Sequence, residues 1–192
     1  FHAPNSRSSG VLALLEELGA DYELRVLNLK SGEQRAPTYL AVNPMGKVPA
    51  IVHDGRVVTE VAAICTYLAM SFPETGLMAE DKAAFFRWMF FAAGPLEQAV
   101  VNTAFGWQTS GQLDKRRAGY GDLGDVLAAL TGHLAAHDYI ADGQFTAADV
   151  YVGSQVGWGL LSEKIPANDV LAAYWARLKD RPARMAAETK DN

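Results

Sequence analysis

The chain has 192 residues, 49% of them hydrophobic, and a formal net charge of -5. That length suffices for one large or two small domains with a real core, and the basic clusters, Lys115-Arg116-Arg117 and those within 177–184, are too short and too interrupted by acids for a nucleic-acid stripe. No apolar run approaches the ~20 residues of a membrane span and no basic-then-apolar leader is present, so a cytoplasmic chain without nucleic-acid or membrane partners is expected.

Phe1-His2-Ala3 reads as the end of a strand and opens without Met, so a few residues are expected to precede it. Residues 8–19 place Val11, Leu12, Leu14, Leu15 and Leu18 at helical spacing, with Glu16 and Glu17 outward and Gly19 as a stop. Residues 22–29 alternate as a strand does. The loop-like stretch 30–37 leads to at most a short helix at 38–42. Residues 48–53, the turn Asp54-Gly55 and residues 56–59 make a hairpin, and a helix follows from 60 to about 71. That helix carries Cys65 on its apolar side, where a buried inert thiol is expected. A lone cysteine excludes both a disulfide scaffold and a C-x-x-C redox pair.

Phe72-Pro73-Glu74-Thr75-Gly76 ends that helix, and strand signals then cease. The predicted division is a first domain at 1–73, a linker at 74–78 and an all-helical second domain at 79–192. In the latter, 81–93 forms an aromatic-rich helix that continues to 105 through a kink at Gly94-Pro95. Residues 115–136 resume the helical pattern among glycines. Thr146 and Asp149 form a capping box that opens an apolar helix running to 161. A last helix spans 169–179 and stops before Arg181-Pro182. His53, His133 and His137 have no metal-ligand spacing, so no metal is expected.

The most informative stretch is Asn43-Pro44-Met45-Gly46-Lys47-Val48-Pro49, because it places a proline at the entrance of a buried strand. Proline lacks an N–H and fixes the preceding residue as extended, so Val48-Pro49 reads as a bend with exposed main-chain polar groups, and X-Pro bonds are the ones in which a cis peptide is common. An ordinary turn is the alternative reading.

The order β-α-β-(α)-β-β-α with Val-Pro before the third strand, followed by an all-helical region, resembles the cytosolic glutathione transferase superfamily, closest to its bacterial members. The motifs that carry the likeness are Ala3-Pro4-Asn5-Ser6-Arg7-Ser8, the segment 43–49, Thr59-Glu60 before its helix, and Phe145-Thr146-Ala147-Ala148-Asp149. The resemblance implies an α/β plus all-α protein: a thioredoxin-like glutathione-binding domain, then a helical bundle. It implies glutathione as co-substrate, a small hydrophobic electrophile as partner, a homodimer, and transferase activity. A glutathione-dependent peroxidase, reductase or isomerase, or a non-catalytic binding protein, is the alternative on the same fold.

It also implies a cis Val48-Pro49 peptide whose Val48 main chain pairs with the cysteinyl unit of glutathione, with Glu60 on the γ-glutamyl ammonium. The Ser or Thr usual after that acid is Val61 here, which leaves its main-chain N–H, at a helix N-terminus, for the γ-glutamyl carboxylate. The thiol-activating Tyr, Ser or Cys of the family finds no Tyr or Cys here. Among Asn5, Ser6, Ser8 and Ser9, the choice falls on Ser6 as donor with Asn5 assisting and Arg7 as a positive field; the alternative is that Ser6 merely caps the helix. Lys47 is a candidate for the glycyl carboxylate or else a solvated turn lysine. His2 is a core or rim residue near the site. Phe105 and Trp107 are candidates for an electrophile pocket, with packing as the alternative. Thr146 and Asp149 are structural.

Overall fold

A computed structural model describes residues 1–191 apart from Gln108, Ser110 and Asp142. The chain forms two compact units, one of residues 1–77 with 180–192 and one of residues 78–179. The terminal segment therefore packs with the first unit, whereas the sequence placed everything from 79 onward in the second.

In the first unit, helix α1 (Ser8–Leu18) buries Val11, Leu12, Leu14 and Leu18, the stripe its spacing predicted, and ends at Gly19 in a left-handed conformation. The short helix α2 (Pro37–Leu40) follows a single 3-10 turn at Glu33–Arg35. Strands β1 (Ala50–His53) and β2 (Arg56–Thr59) pair antiparallel around Asp54-Gly55, with Ala50 opposite Thr59. Helix α3 (Val61–Ser71) buries Ile64, Cys65 and Leu68. The two strands expected at 1–3 and 22–29 are reduced to one parallel bridge, His2 with Val26, held by His2 N–H to Arg25 C=O at 2.9 Å and Leu27 N–H to His2 C=O at 2.8 Å. On its other side the 1–3 segment reaches β1 through the Phe1 amino group, 2.8 Å from Ala50 C=O.

The second unit holds α4 (Lys82–Phe91), α5 (Glu97–Ala104), α6 (Gly111–Arg117), α7 (Leu123–Leu134), α8 (Ala147–Leu161) and α9 (Asp169–Lys179). Pro95 cannot donate to the helical ladder, and the predicted interruption is a π-turn at Ala92–Leu96 between α4 and α5. Gly157 of α8 lies against the Trp175 ring, where a Cβ would come within 2.6 Å, so only glycine permits that approach of α8 and α9.

The capping box is present as read. Thr146 caps α8, and the fully buried Asp149 accepts from the N–H groups of Ile140 (2.7 Å) and Thr146 (2.9 Å) and from the Tyr174 hydroxyl (2.9 Å). Burial pushes the Asp149 carboxyl above the usual carboxylate range, and these donors oppose the shift.

A further helix, α10 (Pro182–Lys190), was not expected. Arg181-Pro182 signals a stop to α9, yet proline suits the first position of a helix, where the N–H has no intrahelical partner, so the residue that ends one helix begins the next. Helix α10 packs on α1 within the first unit. Arg181 holds Glu17 through two hydrogen bonds of 2.6 and 2.8 Å, and Lys190 lies 2.6 Å from Glu16, which also accepts from the Tyr22 hydroxyl.

Two stability predictions follow from buried geometry. Asp149→Ala strands four buried donors, the Ile140 and Thr146 N–H groups and the Thr146 and Tyr174 hydroxyls, and urea unfolding is expected to show a loss of about 3 kcal/mol or more, with Asp149→Asn intermediate because its amide can satisfy only one side of the site. Gly46 has φ +59°, and a Cβ there would meet Gln34 C=O at 2.7 Å, whereas Gly55 at φ +73° has open space around it. Both alanine variants carry the left-handed backbone cost of about 1–2 kcal/mol, and Gly46→Ala is expected to lower the melting temperature further than Gly55→Ala.

Candidate active site

Three sequence segments meet around Ala50. Pro49 precedes it, Thr59 pairs with it and leads into Glu60, and the Phe1 amino group bonds its carbonyl at the head of the segment running to Ser6.

At the start of α1, the half-buried Ser6 Oγ donates to Ala3 C=O at 2.7 Å and lies 2.7 Å from Ser8 Oγ. It also accepts from Ser8 N–H at 3.2 Å, while the N-cap position of α1 is Arg7, which makes no side-chain cap. Asn5 is exposed, with φ +53°, and its main-chain N–H bonds Asp191 Oδ1 at 3.1 Å. Arg7 is exposed. Ser9 Oγ is enclosed, with no hydrogen-bond partner among the described residues.

The Val48-Pro49 peptide is cis. Among the described residues neither the N–H nor the C=O of Val48 has a hydrogen-bond partner, and Val48 is half-buried. The turn before it is held rigidly: Lys47 C=O accepts from the Tyr39 hydroxyl and from Asn43 Nδ2 at 2.8 Å, and Asn43 is itself buried. The Lys47 side chain is exposed, clear of these bonds.

Glu60 is exposed at the N-cap of α3 with φ +67°, a conformation that a non-glycine residue keeps only where its surroundings dictate it. Val61 occupies the first position of α3, where its N–H points out of the helix start. Ser6, Val48 and Glu60 thus lie on three segments of one small unit joined through Ala50. Phe105 and Trp107 stack on each other in the second unit, ring centroids 5.0 Å apart, and both are largely exposed.

The sequence missed the chain of polar groups behind Ser6. Ser8 and His2 are each 2% exposed; Ser8 Oγ lies 2.8 Å from His2 Nδ1 and accepts from Ala3 N–H at 3.0 Å. His2 Nε2 is 3.0 Å from Asp191 Oδ1, a charge contact off the line of a good hydrogen bond. Burial lowers the His2 pKa, with Asp191 opposing. The alternation of polar Ser6 and Ser8 around a helix start was a usable local signal, but nothing local could bring in Asp191.

Cys65 is fully buried and burial pushes its thiol up to about 12, so it is inert at neutral pH. His133 Nε2 bonds Ile140 C=O at 2.9 Å and His137 Nδ1 bonds His133 C=O at 2.9 Å. Among the described residues no group of His, Cys, Asp and Glu is placed to hold a metal, and no helix is long and apolar enough to cross a membrane.

A family model described as glutathione S-transferase, N-terminal domain, matches residues 1–70. Glutathione S-transferase 3 of Zea mays is 30% identical over 191 residues, covering 90% of this chain and 84% of its own length. A glutathione-S-transferase from Xylella fastidiosa superposes with a TM-score of 0.81 at 27% identity over 99% of this chain and 96% of its own. A sphingomonad glutathione S-transferase solved in complex with glutathione gives a TM-score of 0.77 at 30% identity over 100% of this chain and 97% of its own. The first unit is accordingly thioredoxin-like and the second a helical bundle, and the chain belongs to the glutathione S-transferase family.

Proposed function

We propose that the chain binds glutathione on its first unit and activates the thiol for attack on an apolar electrophile. The observation that carries this reading is the Ser6 hydroxyl, half-exposed just before α1 and backed by further polar groups, in the same small unit as an unpaired Val48 main chain and a strained Glu60. Val48 takes the cysteinyl backbone, Glu60 the γ-glutamyl ammonium, the Val61 N–H the γ-glutamyl carboxylate, and Lys47 the glycyl carboxylate. Pro49 holds the bend. Ser6, with Asn5 beside it and Arg7 supplying positive field, stabilises the thiolate, whose unperturbed pKa of ~8.5 would leave little of it charged at neutral pH. Phe105 and Trp107 are offered as part of the electrophile's apolar surround, and the active form is a cytoplasmic homodimer.

One observation favours a non-catalytic binding protein instead. The Ser6 hydrogen is directed inward, toward Ala3 C=O or Ser8 Oγ, each 2.7 Å away, and the hydroxyl usual at position 61 is replaced by valine.

Two measurements separate the readings. Glutathione at about a hundred times its dissociation constant should stabilise the protein by about 2.7 kcal/mol and raise its melting temperature by several degrees. An unmoved melting temperature contradicts glutathione binding. Turnover of an aryl halide should fall by on the order of 10- to 100-fold in Ser6→Ala, the worth of one charge-assisted hydrogen bond, while glutathione affinity changes little. Binding without turnover in the unmodified protein supports the non-catalytic reading, and turnover retained in a Ser6→Ala, Asn5→Ala double variant overturns the assignment of the donor.

A further inference from the structure

Behind Ser6 lies a continuous file of polar atoms: Ser6 Oγ to Ser8 Oγ at 2.7 Å, Ser8 Oγ to His2 Nδ1 at 2.8 Å, and His2 Nε2 to Asp191 Oδ1 at 3.0 Å. Its direction can be read from donor and acceptor capacity. The Asp191 carboxylate only accepts, so the neutral His2 tautomer it favours carries its single hydrogen on Nε2, 3.0 Å from Asp191 Oδ1 though off the line of a good hydrogen bond, and Nδ1 is left with a lone pair. Ser8 has one hydroxyl hydrogen and two acceptors in reach, Nδ1 at 2.8 Å and Ala3 C=O at 3.1 Å, and the shorter contact directs it to Nδ1. Ser8 Oγ is thereby an acceptor toward Ala3 N–H and toward Ser6. When the Ser6 hydrogen turns from Ala3 C=O to Ser8 Oγ, both 2.7 Å away, each hydrogen in the file points inward, ending on a buried imidazole that is open to a proton.

We propose that His2, with Asp191 behind it, receives the proton of the bound glutathione thiol through Ser6 and Ser8. The proposal rests on the reading of Ser6 as the group facing the sulfur. The S–H bond breaks heterolytically, its electron pair staying on sulfur and its proton passing to Ser6 Oγ. The Ser6 hydroxyl proton moves to Ser8 Oγ, and the Ser8 hydroxyl proton to His2 Nδ1. The products are a thiolate, two intact hydroxyls whose hydrogens now point outward, and an imidazolium beside the Asp191 carboxylate. Net charge is conserved and no other reactant is needed. The Ser6 hydrogen, held inward at rest, ends directed at the thiolate. His2 touches no substrate; it acts through the two serines.

The surroundings suit this role. Burial lowers the His2 pKa and so favours the neutral ring before the ligand arrives, while Asp191 favours the imidazolium once a proton is delivered. Arg184 of α10 faces Asp191. On the adjoining 22–27 segment the charge of Arg25 is paired with Glu23 at 3.2 Å. Asp191 also binds Asn5 N–H at 3.1 Å, so the same carboxylate fixes the turn that presents Ser6.

Proton counting tests the proposal on the unmodified chain. Calorimetric titration with glutathione at pH 7, in two buffers of different ionisation enthalpy, gives the protons released, with S-methylglutathione as the thiol-free control. Thiolate absorbance in the ultraviolet gives the thiolate formed. The expected result is a thiolate signal with far fewer than one proton released per thiolate. One proton released per thiolate overturns the relay. In Asp191→Asn and Ser8→Ala the apparent pKa of the bound thiol should rise by about one unit, with glutathione affinity within about threefold of the unmodified chain. An unchanged thiol pKa in both variants, with Ser6→Ala shifted, overturns the relay and leaves Ser6 as donor. If glutathione binds without forming thiolate, or does not bind, the reading of function fails and the relay with it.

Discussion

A polar group taken out of water must find a partner, and in both units that requirement fixes the geometry on which the rest depends. In the first unit the group is Ser8 Oγ. It is enclosed at the start of α1 and reaches His2 Nδ1, Ser6 Oγ and the Ala3 main chain at once, so α1, the 1–3 segment and the turn between them are set against one another. In the second unit Asp149 does the same for the Ile140 loop, the cap of α8 and Tyr174 of α9. The two networks differ in outlook. That of Asp149 is sealed, whereas that of Ser8 opens at the half-exposed Ser6.

The terminal segment has a larger part in the first unit than its position in the sequence suggests. Helix α10 is held to α1 by Arg181 on Glu17 and Lys190 on Glu16, and Asp191, just beyond it, contacts His2 and Asn5 N–H. The turn proposed to meet the thiol is therefore shaped from behind by residues at the opposite end of the chain.

Local patterning was legible. The apolar stripe of α1, the Asp-Gly hairpin, the interruption at Pro95 and the Thr146–Asp149 capping box are each encoded within about a dozen residues, and each is present. What escaped depends on separation or on context. Pro182 carries the same local signal whether it stops a helix or starts one. The segments at 1–3 and 22–29 alternate like strands but share a single bridge. The pairing of Asn5 with Asp191 spans 186 positions, beyond any periodicity. The positive φ of Glu60 is likewise set by the path from β2 into α3 and by no property of glutamate.

Cys65, the one thiol in the sequence, is sealed and pushed up to about 12. The reacting sulfur in the proposed function is the ligand's, and the protein's task reduces to removing a proton from it and holding the charge that results. A crystal structure of the glutathione complex tests that account most directly. The account predicts the sulfur within about 3.5 Å of Ser6 Oγ, with the cysteinyl backbone paired to Val48. A bound glutathione whose sulfur lies away from Ser6, against Arg7 or open solvent, would contradict it.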